Sequence, residues 1–145
     1  MIVELSVIIP TLNERENIAP LIDALDKALS QVKWEAIFVD DDSADGTAEL
    51  LRDIGQNDPR IRCLRRIGRR GLSSACLEGM GASNAPFLAV IDADMQHDES
   101  VLPRMLEILK AGSVDLVVGS RYVEGGGTDS WSTKRLFLSR VATRL

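Results

Sequence analysis

Apolar positions along the chain fall into two alternating rhythms. Short, nearly continuous apolar stretches at Leu5–Ile9, Glu35–Val39, Ile61–Leu64, Phe87–Ile91 and Asp115–Val118 read as strands, because brief runs bounded by turn residues suit strands covered on both faces. Between them, apolar residues return every three or four positions. The clearest series is Ile18, Leu21, Ile22, Leu25, Leu29 and Val32, one face of a helix. A second helix is predicted to begin near Ser43–Asp45, whose side chains can cap it, and to stop at Gly55. A third is predicted over Leu72–Ser83. A fourth is predicted over Glu99–Ala111, with Pro103 in its first turn and Gly112 beyond its end. Alternating strands and helices predict an α/β fold, Rossmann-like in the broad sense, with a mostly parallel central sheet covered by helices on both faces. The 145 residues form one domain, 1–145, large enough to hold a core without a disulfide or structural metal.

Charge changes the picture only locally. The net charge of −5 argues against general nucleic-acid binding, yet six arginines lie between Arg60 and Arg70. After Asp129 there is no acid, while Lys134, Arg135, Arg140 and Arg144 follow. Such clusters are ordinarily solvated faces; beside a phosphate site they can instead hold an anionic substrate or a lipid surface. Cys63 and Cys76 lack metal-type spacing and read as reduced core thiols, in keeping with a cytoplasmic protein. The start of the chain has no basic leader, and no apolar run approaches the roughly 20 residues that a membrane span requires. Near the other end, Trp131, Leu138, Val141 and Leu145 fall on one helical face and Arg140 and Arg144 on another. This segment has two readings, a core-packing helix or an interfacial helix in peripheral contact with an anionic membrane. Gly125-Gly126-Gly127 likewise reads as a plain connector or as the hinge of a loop that closes over substrate.

The candidate chemistry sits after the strands. Pro10–Glu14 follows the first, Asp40–Ser43 the second, Asp92–Asp94 the fourth and Gly119–Tyr122 the fifth. In a parallel sheet those loops share one edge, where ligands bind. Asp92 and Asp94, two residues apart at a strand end, project to one side. With the amide oxygen of Gln96 they form a hard donor set that suits Mg²⁺ or Mn²⁺ on a phosphorylated substrate better than zinc. Taken alone, these acids also fit helix or turn capping, as do Asp40–Asp42. Five carboxylates around one crevice repel one another, however, unless cations or hydrogen-bond donors answer them. A divalent metal and a nucleobase with N–H donors would do so. A dinucleotide oxidoreductase is disfavoured, since no glycine fingerprint follows the first strand. Phosphoacceptor receiver domains and haloacid-dehalogenase-type phosphatases carry their acidic pair after the first strand, and here the pairs follow the second and fourth.

Pro10–Glu14 with Asn17-Ile18, Val39–Thr47, Gly71-Leu72, Asp92–Asp98, Gly119–Tyr122 and Ser139-Arg140 together resemble the dolichol-phosphate mannosyltransferase branch of the inverting family 2 glycosyltransferases. The likeness runs in register over nearly the whole chain. It implies a GT-A-type nucleotide-sugar-binding domain that moves a sugar, most simply mannose from GDP-mannose, to a polyprenyl or dolichyl phosphate. By position, the resemblance implies that Pro10, Leu12, Glu14 and Asp40 lie around the nucleotide, with Asp40 accepting from a base N–H. Asp92, Asp94 and Gln96 would hold the metal, and the backbone and methyl of Ala93 would pack against the sugar nucleotide. Arg121 and Arg135, with Arg140, would grip the acceptor phosphate, which makes Asp94 and Arg121 the candidate catalytic residues. Three positions depart from the family pattern: Leu12 stands in place of tyrosine, Asp42 in place of asparagine, and Glu99 in place of a proline, where it would cap the fourth helix.

A phosphate nucleophile is ionised at neutral pH, so the implied single displacement at the anomeric carbon needs no general base. His97, the lone histidine, then reads as a structural hydrogen-bonder. Alternatives within the family are another donor or acceptor, such as UDP-glucose and undecaprenyl phosphate; outside catalysis, the alternative is a chain that only binds nucleotide. Family members continue past this last helix, so the chain is expected to be a catalytic core truncated at its C-terminus, prone to self-association through uncovered apolar surface.

Overall fold

The computed structural model describes residues 2–120. Its elements follow in the order β1 (Leu5–Thr11), α1 (Arg15–Ala28), β2 (Trp34–Asp40), α2 (Thr47–Asn57), β3 (Ile61–Arg65), α3 (Leu72–Gly81), β4 (Phe87–Val90), a 3₁₀ turn over Glu99–Val101 and α4 (Leu102–Lys110). The strands form one four-stranded sheet in the order β3-β2-β1-β4, and every pairing is parallel.

Side-chain alternation sorts the sheet into two unequal layers. Leu5, Val7 and Ile9 of β1 and Trp34, Ala36 and Phe38 of β2 point to one face, where Ile18, Leu21 and Leu25 of α1, Leu51 of α2 and Leu102 and Leu106 of α4 cover them. Ile8, Ile37 and Val39 point to the other face and meet Ala75 of α3. The close seat of α3 depends on Gly79, where a Cβ would collide with the Ile8 side chain and come within 2.9 Å of Val39 Cγ2.

Three predicted features differ. Helix α2 does not stop at Gly55 but runs through it to Asn57; a Cβ at Gly55 would stand 2.7 Å from the Ile61 carbonyl oxygen, so this glycine permits close approach to β3 rather than ending the helix. The cap expected from Glu99 comes instead from Asp98, whose carboxylate accepts from Ser100 N–H at 3.0 Å, while Glu99 is buried within the 3₁₀ turn. The stretch 115–118 forms no strand, and Leu116 and Val118 are 76% and 74% exposed. Register places Leu88 and Val90 beside Ser6 and Ile8, on the face that α3 covers only over β1 and β2, and both stay partly exposed. With that flank of β4 open among the described residues, pairing there would bury too little apolar surface to offset the backbone entropy of an added edge strand. Gly125–Gly127 and the expected helix Trp131–Leu145 lie outside the described residues, and no helix among the described ones is long and apolar enough to cross a membrane.

Candidate functional site

The loops after β1, β2, β3 and β4 meet at the C-terminal edge of the sheet, and hydrogen bonds tie the first two together. Asp41 N–H donates to Thr11 O at 2.9 Å, extending the ladder by one residue. Asn13 N–H donates to Ser43 Oγ at 2.8 Å, and Asn13 Oδ1 accepts from Ala44 N–H at 2.9 Å. Glu14 N–H donates to Thr47 Oγ1 at 3.1 Å, and Arg15 N–H to Asp45 Oδ2 at 3.0 Å. Asp45 also accepts from Thr47 N–H at 3.0 Å, in the turn that leads through Gly46, the N-cap, into α2. Burial pushes the Asp45 carboxyl up, but the hydrogen bonds from Thr47 and Arg15 outweigh it and hold the group below its usual value. Asn13, Glu14, Asn17 and Asp45 line a cleft of about 450 Å³ at this junction.

The predicted nucleotide residues share this region with different exposures. Pro10 is half-buried, Leu12 is 41% exposed, and Glu14 is half-buried and accepts from Asn17 Nδ2 at 2.6 Å. Asp40 is fully buried, and its carboxylate accepts from Ser43 N–H at 3.0 Å and from Ser43 Oγ at 2.5 Å. Each Asp40 oxygen thus accepts one hydrogen bond from Ser43, and the side chain holds the loop after β2. The signal in the sequence was Ser43 three residues after Asp40, the spacing of a side-chain-capped turn.

The acidic triplet is answered from within the protein. Asp42 accepts from Arg65 Nη2 and Nε at 2.7 and 2.9 Å, and Asp41 Oδ1 faces Arg66 Nε at 3.2 Å. The arginine-rich stretch is thereby largely committed. Arg60 pairs with Asp26 and Asp58 and lies 4.6 Å over the Trp34 ring, Arg62 pairs with Glu35 and Arg69 with Glu78.

Past β4 the alternation continues although the ladder ends. Ile91 N–H still donates to Ile8 O at 3.2 Å; Ile91 and Ala93 are buried in the core, while Asp92 is exposed and Asp94 half-buried. The two acids therefore do emerge on one side. The same alternation corrects the expectation for Ala93, which is 3% exposed and directs its methyl into the core, leaving none to offer a ligand. Asp94 Oδ1 accepts from Gln96 N–H at 3.0 Å, and His97 Nε2 lies 3.3 Å from Asp92 Oδ2. Met95 between them has φ 56°, a left-handed conformation unusual for a bulky residue. Asn13 and Asp42, at φ 58° and 59°, are types that tolerate it, so the loops after β1, β2 and β4 each carry one left-handed non-glycine residue at this edge.

Among the described residues no group of three His, Cys, Asp or Glu side chains gathers as a metal cage. Two carboxylates and one amide at a solvent-facing edge nevertheless fit a hard divalent ion that draws its remaining ligands from a substrate diphosphate and water. Arg121, Arg135 and Arg140 lie outside the described residues.

Comparison with known proteins points the same way. The family model of glycosyl transferase family 2 matches residues 6–145. The chain is 41% identical over 139 residues to a dolichol-phosphate mannosyltransferase of Pyrococcus furiosus, covering 96% of this chain and 39% of that protein. It is 39% identical over 140 residues to a polyprenol monophosphomannose synthase of Mycolicibacterium smegmatis, covering 94% and 52% respectively. The chain thus spans about half or less of the length of these relatives. Among solved structures, the mannosyltransferase PcManGT of Pyrobaculum calidifontis in complex with GDP-Man and Mn²⁺ superposes with a TM-score of 0.56 at 26% identity, covering 65% of this chain and 28% of that one.

Proposed function

The chain belongs to the family 2 glycosyltransferases, and from that premise we propose that it is the donor-binding core of an enzyme that transfers mannose from GDP-mannose to a polyprenyl phosphate with inversion. The observation that carries the reading is the 41% identity to a dolichol-phosphate mannosyltransferase over 96% of this chain. The Asp92 and Asp94 carboxylates emerging together at the ligand-binding edge support it. Asp92, Asp94 and Gln96 would hold Mg²⁺ or Mn²⁺. When bound, that ion supplies neutralisation of the charge that develops on the leaving diphosphate.

The remaining work falls to the chain itself. Pro10, Leu12 and Glu14, at the end of β1 and on the loop after it, would border the nucleotide, and Asp40 steadies that loop through Ser43, which accepts from Asn13 N–H. Leu12 offers an aliphatic surface where a base would rest, without the stacking face of an aromatic ring. Arg121, Arg135 and Arg140 would hold the acceptor phosphate, a task suited to the planar guanidinium fork, which binds phosphate oxygens in pairs and stays charged. The acceptor oxygen is then fixed as an anion in line with the anomeric carbon, and no protein base takes part. An acceptor of this kind is lipid-borne, so the protein would work at the cytoplasmic face of a membrane in peripheral contact, and the flank of β4 that stays open among the described residues would favour self-association of the chain.

Calorimetric titration of the purified chain with GDP-mannose, UDP-glucose and other nucleotide sugars in Mn²⁺ tests donor choice, followed by transfer to a short polyprenyl phosphate. Preferential binding of GDP-mannose with formation of the lipid-linked sugar is expected. Preference for a uridine donor would refute the mannosyl assignment, and binding without transfer would restrict the chain to nucleotide binding.

A further inference from the structure

Arg66 is the one buried arginine among the described residues, at 3% exposure, and it stands where the loop from β3 to α3 leaves the sheet. Its backbone N–H donates to Asp40 O at 2.8 Å. Its side chain makes four contacts: Nε lies 3.2 Å from Asp41 Oδ1 as an ion pair without hydrogen-bond geometry and 3.8 Å from Glu78 Oε1, Nη2 donates to Ser74 Oγ at 2.8 Å and Nη1 to Gly71 O at 3.4 Å. Asp41 closes the circuit, since its Oδ2 accepts from Gly71 N–H at 2.7 Å, and Ser74 Oγ donates back to Gly71 O at 2.9 Å. The Gly71 residue is thus held at both its N–H and its carbonyl, in a backbone conformation, φ 140°, that side-chain-bearing residues rarely adopt.

A buried ion pair is a poor device for stability alone, because the desolvation of two charges offsets much of their attraction. Its other effect is geometric. A guanidinium with donors in fixed directions sets where Gly71 stands relative to the end of β2, and with it the loop Ile67–Arg70 and the start of α3. That loop lies next to the acidic cluster after β2 and is exposed from Ile67 to Arg70; its other ties are the surface pair of Arg69 with Glu78 and the hydrogen bond from Arg69 N–H to Arg66 O at 3.3 Å, which itself anchors on the clamp.

We propose that Arg66 and Asp41 are positioning residues that clamp the β3–α3 loop as one wall of the donor crevice, so that losing the clamp loosens donor binding before it unfolds the domain. The role as a crevice wall rests on the donor-binding reading given above; the clamp itself does not.

The test uses three variants of the full chain: Arg66→Lys, which keeps the charge and loses the fork; Asp41→Asn, which keeps an acceptor for Gly71 N–H and loses the charge; and Ser74→Ala, at an exposed position, which removes one arm and should fold in any case. Limited trypsin digestion, read by mass spectrometry, reports cleavage after Arg69 and Arg70. Calorimetry reports GDP affinity in Mn²⁺. Expected are about tenfold faster cleavage at Arg69 and Arg70 in Arg66→Lys and Asp41→Asn, a smaller rise in Ser74→Ala, and GDP affinity weakened in the same order. Cleavage rates at Arg69 and Arg70 equal to those of the unaltered chain in all three variants would overturn the clamp. A fall in thermal midpoint with cleavage spread along the whole chain and unaltered affinity of the folded fraction would also overturn it, leaving a merely structural pair. An unaltered chain that binds no GDP would overturn the donor role, and the digestion arm would then decide the clamp by itself.

Discussion

Two glycines two residues apart in the same helix predict stability changes of opposite sign. Gly79 lies inside α3 and Gly81 is its last residue; replacing either by alanine reduces the freedom of the unfolded chain, a gain of about 0.4–1 kcal/mol. At Gly81 a Cβ would meet nothing within 4 Å, so the gain should be realised nearly in full. At Gly79 it would stand 2.9 Å from Val39 Cγ2 and closer still to Ile8. Ile8 and Val39 are fully buried and β-branched, with little freedom at χ1. Neither can turn aside, so the helix must lift off the sheet or the strands must shift, at an overpacking cost of about 1–3 kcal/mol. The net expectation is a loss of about 1–2 kcal/mol for Gly79→Ala, a fall in the thermal midpoint of several degrees for a domain of this size. Urea denaturation, with the midpoint read at constant slope, measures both. A rise for both variants would show that α3 is not seated on Ile8 and Val39 as described, and would loosen the placement of every loop at that edge.

Four further outcomes follow from the site. Asp94→Asn should cut the Mn²⁺-dependent part of GDP binding at least about tenfold, or about 1.4 kcal/mol; equal affinity in chelator and in Mn²⁺ for the unaltered chain would remove the metal from the proposal. Met95→Gly should raise the unfolding free energy by a few tenths to about 1 kcal/mol, the left-handed cost of about 1–2 kcal/mol less the added entropy of glycine, whereas Met95→Val should lower it; a fall of the urea midpoint in both would mean that the strain is absent. Burial, then the nearby Asp40 carboxylate, pushes the Cys63 thiol up to about 11, so at pH 8 a disulfide reagent should modify it about a hundredfold more slowly than a free thiol. The unfolded thiol ionises first, so the unfolded chain binds fewer protons between the ordinary value of 9.0 and about 11, and stability should fall as pH rises through that window; a flat urea midpoint there would contradict the burial of Cys63. In a longer, active form, Arg121→Ala should abolish transfer while leaving donor affinity within a few-fold; parallel loss of donor binding would reject its assignment to the acceptor.

Much of this architecture was legible in the order of residues because its signals are local. Alternation fixed which side of β1 and β2 meets which helix, and it carried past the end of β4 to bring Asp92 and Asp94 out on one side. What escaped depended on neighbours distant in sequence. Gly55 reads as a stop only until Ile61 is seen to press against it. The run Asp115–Val118 has a strand's composition but not a strand's surroundings, and Ala93, between two acids that leave the core, turns its methyl inward. Least legible were the partners of the acids. Nothing in the spacing of Arg65 and Arg66 tells that they reach back to Asp42 and Asp41, some twenty residues earlier.

Those partners alter the electrostatic argument for the site. Five carboxylates near one edge looked like a charge conflict to be relieved by ligands, yet three of them are relieved by the chain: Asp40 through Ser43, Asp41 through Arg66 and Gly71, and Asp42 through Arg65. Asp92 and Asp94 are treated differently. Their side chains meet His97 and a backbone N–H, and among the described residues no arginine or lysine pairs with either. The residual negative charge at this edge is thus concentrated on the two acids that leave the core together. A divalent cation would meet its strongest attraction there rather than at the more numerous acids after β2, because the latter already carry their own counter-charges. Reversing the balance should move the preference: removing Arg65 by Arg65→Met would expose Asp42 and create a second, weaker Mn²⁺ site after β2. That site should appear as an added low-affinity phase in calorimetry with Mn²⁺ alone, and its absence would show that Asp42 needs no counter-charge at this edge.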